Sequence, residues 1–124
     1  MGAVKSYKLD MGGYNAAKIC TIQPSNTAIV RCSVVRVDGT DAADVTICFG
    51  RHSSSSHEMR GYIYGHASVN INFYYSDDSI YIYTPTLYMY GVVETLVGVH
   101  TDIELINTFT PSNYNKIALN EKVD

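Results

Sequence analysis

Apolar and polar residues alternate with a period of two over much of the chain. Between residues 28 and 36 the even positions include Ala28, Val30, Cys32 and Val34, and the odd ones include Arg31 and Ser33, the pattern of a strand with one buried face. Val45, Ile47 and Phe49 alternate in the same way with Asp44, Thr46 and Cys48, and Val69, Ile71, Phe73 and Tyr75 alternate with Asn70, Asn72 and Tyr74. The last run enters Ser76-Asp77-Asp78-Ser79 and a further apolar-aromatic run over 80–84, which predicts a hairpin. Asp77 and Asp78 read as its turn formers, because aspartate tolerates turn geometry and bonds its own backbone. Residues 87–97 have the length of one long strand, and 102–106 that of a short one.

Turn chemistry falls between these runs: Gln23-Pro24-Ser25-Asn26, Val37-Asp38-Gly39-Thr40-Asp41, the connection over 51–61, and Thr84-Pro85-Thr86. The only helix-compatible stretch is residues 15–18, too short to matter. Six to eight short strands separated by turns predict an all-β fold, an antiparallel β-sandwich of jelly-roll type. Residues 14–109 form the expected sandwich. Residues 1–13 read as a leader or linker from a preceding stalk, and 110–124 as an irregular C-terminal tail that packs loosely or along a neighbouring subunit.

Composition narrows the function classes. The chain has 124 residues, 46% of them hydrophobic, with eleven tyrosines and no tryptophan, enough for one domain with its own core. Twelve acidic residues against nine lysines and arginines give a formal charge of -3, so no excess positive field attracts nucleic acid. No run approaches the ~20 apolar residues of a membrane-spanning helix, and the first residues lack the apolar stretch of a secretory signal. Cys20, Cys32 and Cys48 form no C-x-x-C pair and lie inside apolar alternating segments. They read as small hydrophobes, and their odd number fits assembly in a reducing cytosol.

The succession of segments resembles a family of small β-sandwich domains at the carboxy-terminal tips of bacteriophage tail fibres, tailspikes and appendages. The resemblance is carried by Tyr14-Asn15-Ala16-Ala17-Lys18-Ile19-Cys20-Thr21-Ile22 as an opening strand and by the alternating run over 28–37. It continues in Val45-Thr46-Ile47-Cys48-Phe49-Gly50-Arg51, the hairpin over 71–83, and Leu87-Tyr88-Met89-Tyr90-Gly91-Val92-Val93-Glu94-Thr95. It covers about residues 14–106. The resemblance implies a homotrimer at a fibre tip, assembled in the host cytoplasm and carried on the virion. Such a trimer serves its own assembly, attachment to bacterial surface polysaccharide, or both, with no cofactor, nucleic acid or membrane insertion.

Two features carry the candidate chemistry. The stretch Arg51-His52-Ser53-Ser54-Ser55-Ser56-His57-Glu58-Met59-Arg60 is a long connection between apolar strands, and such connections are usually functional or disordered. Three readings stand: a solvated loop, a ligand-contacting loop in which Arg51, His52, His57 and Arg60 donate to sugar hydroxyls or carboxylates, and a metal site from His52, His57 and Glu58. The last is the weakest, because that spacing imposes no tetrahedral geometry. The second feature is the tyrosines Tyr62, Tyr64, Tyr74, Tyr75, Tyr81, Tyr83, Tyr88 and Tyr90. If Ile80 and Ile82 face the core, Tyr81 and Tyr83 line the opposite surface. They then serve cross-strand packing, a subunit interface or, with Tyr62 and Tyr64, a sugar-binding platform.

Catalytic signatures are lacking. The acidic residues sit mostly at turns, with Asp44, Glu94 and Glu104 on strands and none in a recognisable glycosidase pair. His66 and His100 have no neighbouring Ser or Cys in a nucleophile motif. The expectation is a non-enzymatic glycan-attachment module. A purely structural trimerisation cap or virion decoration is the alternative, and a glycan hydrolase or self-cleaving domain is the less favoured reading.

Overall fold

Among the described residues the chain forms ten strands. They are β1 (Lys5–Asp10), β2 (Ala16–Thr21), β3 (Asn26–Arg36), β4 (Ala42–Arg51), β5 (Met59–Ala67), β6 (Asn72–Ser76), β7 (Ser79–Tyr83), β8 (Met89–Val97), β9 (Glu104–Ile106) and β10 (Asn115–Ile117). The computed structural model describes residues 5–52, 59–97 and 103–123. Among them there is no α-helix, only a single 3-10 turn at Pro111–Asn113.

The strands form two antiparallel five-stranded sheets, ordered β1-β8-β3-β4-β5 and β10-β6-β7-β2-β9, which face each other as a β-sandwich. Strands β3, β4 and β5 follow one another as a meander within one sheet, whereas a jelly roll passes successive strands between sheets. Inner faces meet as the alternation requires. Ala28, Val30, Cys32 and Val34 of β3, Val45, Ile47 and Phe49 of β4, Ile63 of β5 and Val93 of β8 pack against Ala17, Ile19 and Cys20 of β2, Phe73 of β6, and Ile80 and Ile82 of β7. Burial of these apolar side chains is the main source of stability. It also pushes the Cys20 and Cys32 thiols up to about 12, because the low-dielectric core penalises a thiolate.

The hairpin forms where expected, with Ser76 opposite Ser79 and Asp77 in the left-handed region at φ 53°. One position departs from the pattern: Val69 is almost fully exposed because it lies in the turn between β5 and β6, which is closed by a hydrogen bond from the Ile71 N–H to the Ser68 carbonyl.

Both chain ends depart further from expectation. Residues 5–10 are not a linker but β1, paired with β8 along their whole length, with Leu9 buried in the core. Its lysines face solvent, as is common on edge strands. Residues 110–124 are not a loose tail. β10 extends the second sheet beside β6, and the following residues cross to the first sheet. There the Val123 backbone exchanges two hydrogen bonds with Gly61, and the Asn120 amide side chain accepts from the Gly65 N–H and donates to its carbonyl. The C-terminal segment thus pairs the outer edge of β5 and closes that side of the sandwich. On its other side, Gly61 and Gly65 let β5 lie close against β4. Both have positive φ, and a Cβ would lie 2.0 Å from the Cys48 carbonyl oxygen at Gly61 and 2.2 Å from that of Asp44 at Gly65.

Candidate functional site

With Val45, Ile47 and Phe49 of β4 turned inward, Asp44, Thr46, Cys48 and Gly50 form its outer row. Register sets their neighbours. On β3, Thr27, Ile29, Arg31 and Ser33 lie opposite Gly50, Cys48, Thr46 and Asp44, and on β5, Arg60, Tyr62, Tyr64 and His66 lie opposite the same four. Small side chains along β4, beside the bulkier row of β5, make a shallow trough of ~20 Å from Asp44 to Gly50, at about 3.4 Å per residue.

The trough deepens at both ends. Around Gly50 a depression of about 380 Å³ is lined by Ser25, Asn26, Thr27, Arg51, His52 and Arg60. Gly50 leaves its floor bare: a Cβ there would meet nothing closer than Thr27 Cγ2 at 3.8 Å. Around Asp44 a second depression of about 470 Å³ is lined by Arg31, Ser33, Ala42, Ala43 and His66 among others. Between them, Tyr62 and Tyr64 stack with centroids 5.1 Å apart and planes 14° from parallel. Tyr64 is 45% exposed, so one ring presents its surface to solvent beside the trough.

A fixed charge pair marks the Asp44 end. Arg31 grips the carboxylate with both prongs, Nε to Oδ1 at 3.1 Å and Nη2 to Oδ2 at 3.0 Å, and Ser33 Oγ donates to Oδ1 at 2.6 Å. The hydrogen bonds from Arg31 and then Ser33, aided by the positive field of Arg31 and His66, hold the carboxyl at about 2. Asp44 is therefore an anion at neutral pH with acceptor capacity beyond the bonds it already takes. Cys48 lies on the trough floor, half-buried, and partial desolvation raises its thiol.

The expected site residues divide. Arg51, His52, Arg60, Tyr62 and Tyr64 gather at the trough. Arg51 plays a different part from the one expected of it: its side chain is buried, Nη1 donates to the Ile22 carbonyl at 3.1 Å, and it lies 3.9 Å from Asp78. It ties the end of β4 to the strand and hairpin of the other sheet, and only its edge reaches the depression. His52 is exposed, and its carbonyl accepts from Ser25 Oγ. His57, Glu58, the serines before them and His100 lie outside the described residues.

Tyr81 and Tyr83 are on the far sheet. They point outward, as the inward Ile80 and Ile82 require, but the chain covers them itself. Phe109 stacks on Tyr83 at 5.1 Å and on Tyr114 at 4.2 Å, and meets Tyr74 edge-on at 5.4 Å. Packing under this cap raises the Tyr74 and Tyr81 hydroxyls through desolvation. These rings serve packing on the outer face of the second sheet and are not brought to the trough. Conversely, Arg31, Ser33, Asp44, His66 and Gly50 enter the site unannounced. The alternation around Asp44 marks the polar face of β4 but does not say which strands lie beside it.

Asp44 is the sole carboxylate lining the two depressions among the described residues. Those residues hold no cluster of three His, Cys, Asp or Glu side chains arranged for a metal ion, and no helix long and apolar enough to cross a membrane. No protein-family model and no curated protein matches the chain.

Proposed function

We propose that this domain attaches to an extended surface glycan laid along the outer face of β4. The observation that carries the reading is the trough itself: a ~20 Å floor of small side chains, an exposed tyrosine stacked on a second along one wall, and a doubly gripped carboxylate at one end. Aromatic faces match the C–H faces of sugar rings, while paired charged and amide groups match their hydroxyls. Each hydroxyl exchanged from water to protein gains a net of only ~0.5 to 1.5 kcal/mol, so a shallow site of this kind is weak alone and benefits from repetition. Repetition would come from the homotrimer on a virion that the sequence resemblance to fibre-tip sandwiches implies.

The test is binding of the full chain to bacterial surface polysaccharides, read by calorimetry and by the reaction rate of Cys48 with a thiol reagent. Cys20 and Cys32 are fully buried, so Cys48 is the thiol that reports. A bound glycan slows its labelling, and Tyr64→Ala weakens binding roughly fivefold to tenfold through loss of one stacking surface. Binding unchanged by Tyr64→Ala, with Cys48 labelled at the free rate, would place the ligand elsewhere.

A second reading, a structural trimerisation cap, is favoured by one observation. Val35, Val37 and Tyr88 are exposed at the same end of the first sheet, where the Val37 N–H donates to the Tyr88 carbonyl and Val35 lies opposite Tyr90 and Ala42. Scattered apolar residues are ordinary on a surface, but a contiguous group marks an interaction face. Trimerisation without glycan binding would select this reading.

A further inference from the structure

We infer that the polymer taken by the trough is an uncharged, β-1,4-linked glycan in extended form, held through its hydroxyls and ring faces; this rests on the glycan reading above. Along the trough the arginines and the carboxylate are already committed, and the hydroxyls are not. Arg31 is spent on Asp44 through two hydrogen bonds. Arg51 is buried, donates to the Ile22 carbonyl and lies beside Asp78, and Arg60 is engaged within the chain. Asp44 is in turn matched by Arg31 and Ser33. An acidic polymer would have to displace one of these partners, and it would approach a molecule whose formal charge is -3. The uncommitted groups are neutral. Thr27 and Thr46 lie in the outer rows of β3 and β4, and Tyr62 and Tyr64 in that of β5. Among the described residues, none of these four hydroxyls has a hydrogen-bond partner within the chain. Each can donate once and accept twice, which suits a ligand that is itself a row of hydroxyls with no ion to neutralise.

Shape narrows the linkage. The floor follows a single strand, β4, from Gly50 to Asp44, and turns only with that strand's own twist. Tyr62 and Tyr64 stand two residues apart on the neighbouring strand, so their rings succeed each other along the same line. A β-1,4-linked chain of pyranose rings is a flat ribbon that stays on such a line. It offers ring faces to the exposed Tyr64 and edge hydroxyls to Thr46 and Thr27. An α-1,4-linked chain curls and leaves the floor within a few rings. At the Gly50 end the bare floor of the 380 Å³ depression leaves room for a sugar unit beside Thr27, Ser25 and Asn26. The ribbon then passes over Cys48 and Thr46 toward Asp44, whose remaining acceptor capacity takes hydroxyl protons.

The experiment titrates the full chain with the hexaoses of β-1,4-linked glucose, mannose, xylose and N-acetylglucosamine, beside maltohexaose as the α-1,4-linked counterpart and hexagalacturonate as the charged one. Two variants accompany it. Thr46→Val removes a floor hydroxyl at nearly constant shape, and Gly50→Val fills the depression at a position where the backbone is ordinary and the Cβ has room; folding of both is checked by thermal melting. The expected result is binding to at least one neutral β-1,4 hexaose that does not weaken with salt. Maltohexaose and hexagalacturonate bind about tenfold or more weakly. Thr46→Val reduces the affinity about fivefold, as loss of one net hydrogen bond does, and Gly50→Val abolishes binding, both while melting as folded proteins. Tightest binding to hexagalacturonate, weakening as salt rises, would overturn the inference and leave the glycan reading intact. Equal binding of maltohexaose would overturn the ribbon geometry. Binding to none of the hexaoses would overturn the inference alone if a bacterial polysaccharide still protects Cys48 from labelling, and both readings if none does.

Discussion

Asp44 shows how one side chain can be fixed without being buried. Its carboxylate stays ionised because Arg31 and Ser33 donate three hydrogen bonds to it, and the folded state lowers its pKa from 3.8 to about 2. A depressed carboxyl pKa means that the folded state favours the anion. The resulting stability is present in full above the unfolded value of 3.8 and is lost as pH falls through about 2. The pair is exposed, so solvent screening keeps its contribution small. Denaturant midpoints of the wild type and Asp44→Asn should differ by a constant small amount at neutral pH and converge between about pH 4 and pH 2. A difference that persists unchanged below that window would show that the substitution acts through packing. The alternation around Asp44 made it legible as an outward residue. What eluded the sequence was its register against Arg31's neighbour Ser33 on β3 and His66 on β5, since strand pairing is set by the tertiary fold.

At the scale of elements, the central strands were legible and the terminal ones were not, for a physical reason. β3, β4 and β7 each bury one full face, so burial imposes alternation on their sequences. β1 and β10 are edge strands, mostly exposed, and β10 is three residues long, whereas β9, also short and at an edge, falls within the short strand expected over 102–106. Their existence depends on a neighbour to pair with rather than on a pattern of their own. The same holds for the aromatic cap. Outward Tyr81 and Tyr83 followed from inward Ile80 and Ile82, but nothing local in residues 107–114 announces that Phe109 and Tyr114 fold back to cover them. Phe109 is the hub, in ring contact with Tyr74, Tyr81, Tyr83 and Tyr114. Phe109→Ala should therefore cost about 3 kcal/mol, the low end of large-to-small aromatic substitutions because the cluster is a satellite of the main core. Chemical denaturation measures this. The same variant should expose the tyrosine platform and raise binding of a hydrophobic dye, whereas unchanged stability would mean that the segment merely rests on the sheet.

For the whole molecule, the two candidate surfaces meet at the Asp44 end of the first sheet, where Val35 lies opposite Ala42 of that depression, while the Gly50 end of the trough is ~20 Å away. The trough follows the outer row of β4 beside β5, while Val35, Val37 and Tyr88 lie at the end of β3 next to β8 and the loop before it. Association through that end would leave the Gly50 end of each trough open. Three of them on one axis would face a repetitive polymer together, and linked weak sites gain ~10² to 10⁴ in apparent affinity when their spacing allows simultaneous contact. The proposed trimer is checked by light scattering over a range of concentrations, where a species of ~41 kDa is three times the mass of one chain. Val35→Lys with Val37→Lys places two charges on side chains that are already exposed, so the fold is retained while the contact is broken. The monomeric variant should bind a short oligosaccharide as the parent does and lose ~10² or more in affinity for the immobilised polymer. Equal loss toward both ligands would mean that the trough and the subunit contact share residues. A wild-type chain that stays monomeric at every concentration would remove the trimer and leave the trough to act alone. Its affinity for polymer and oligosaccharide would then be the same per site.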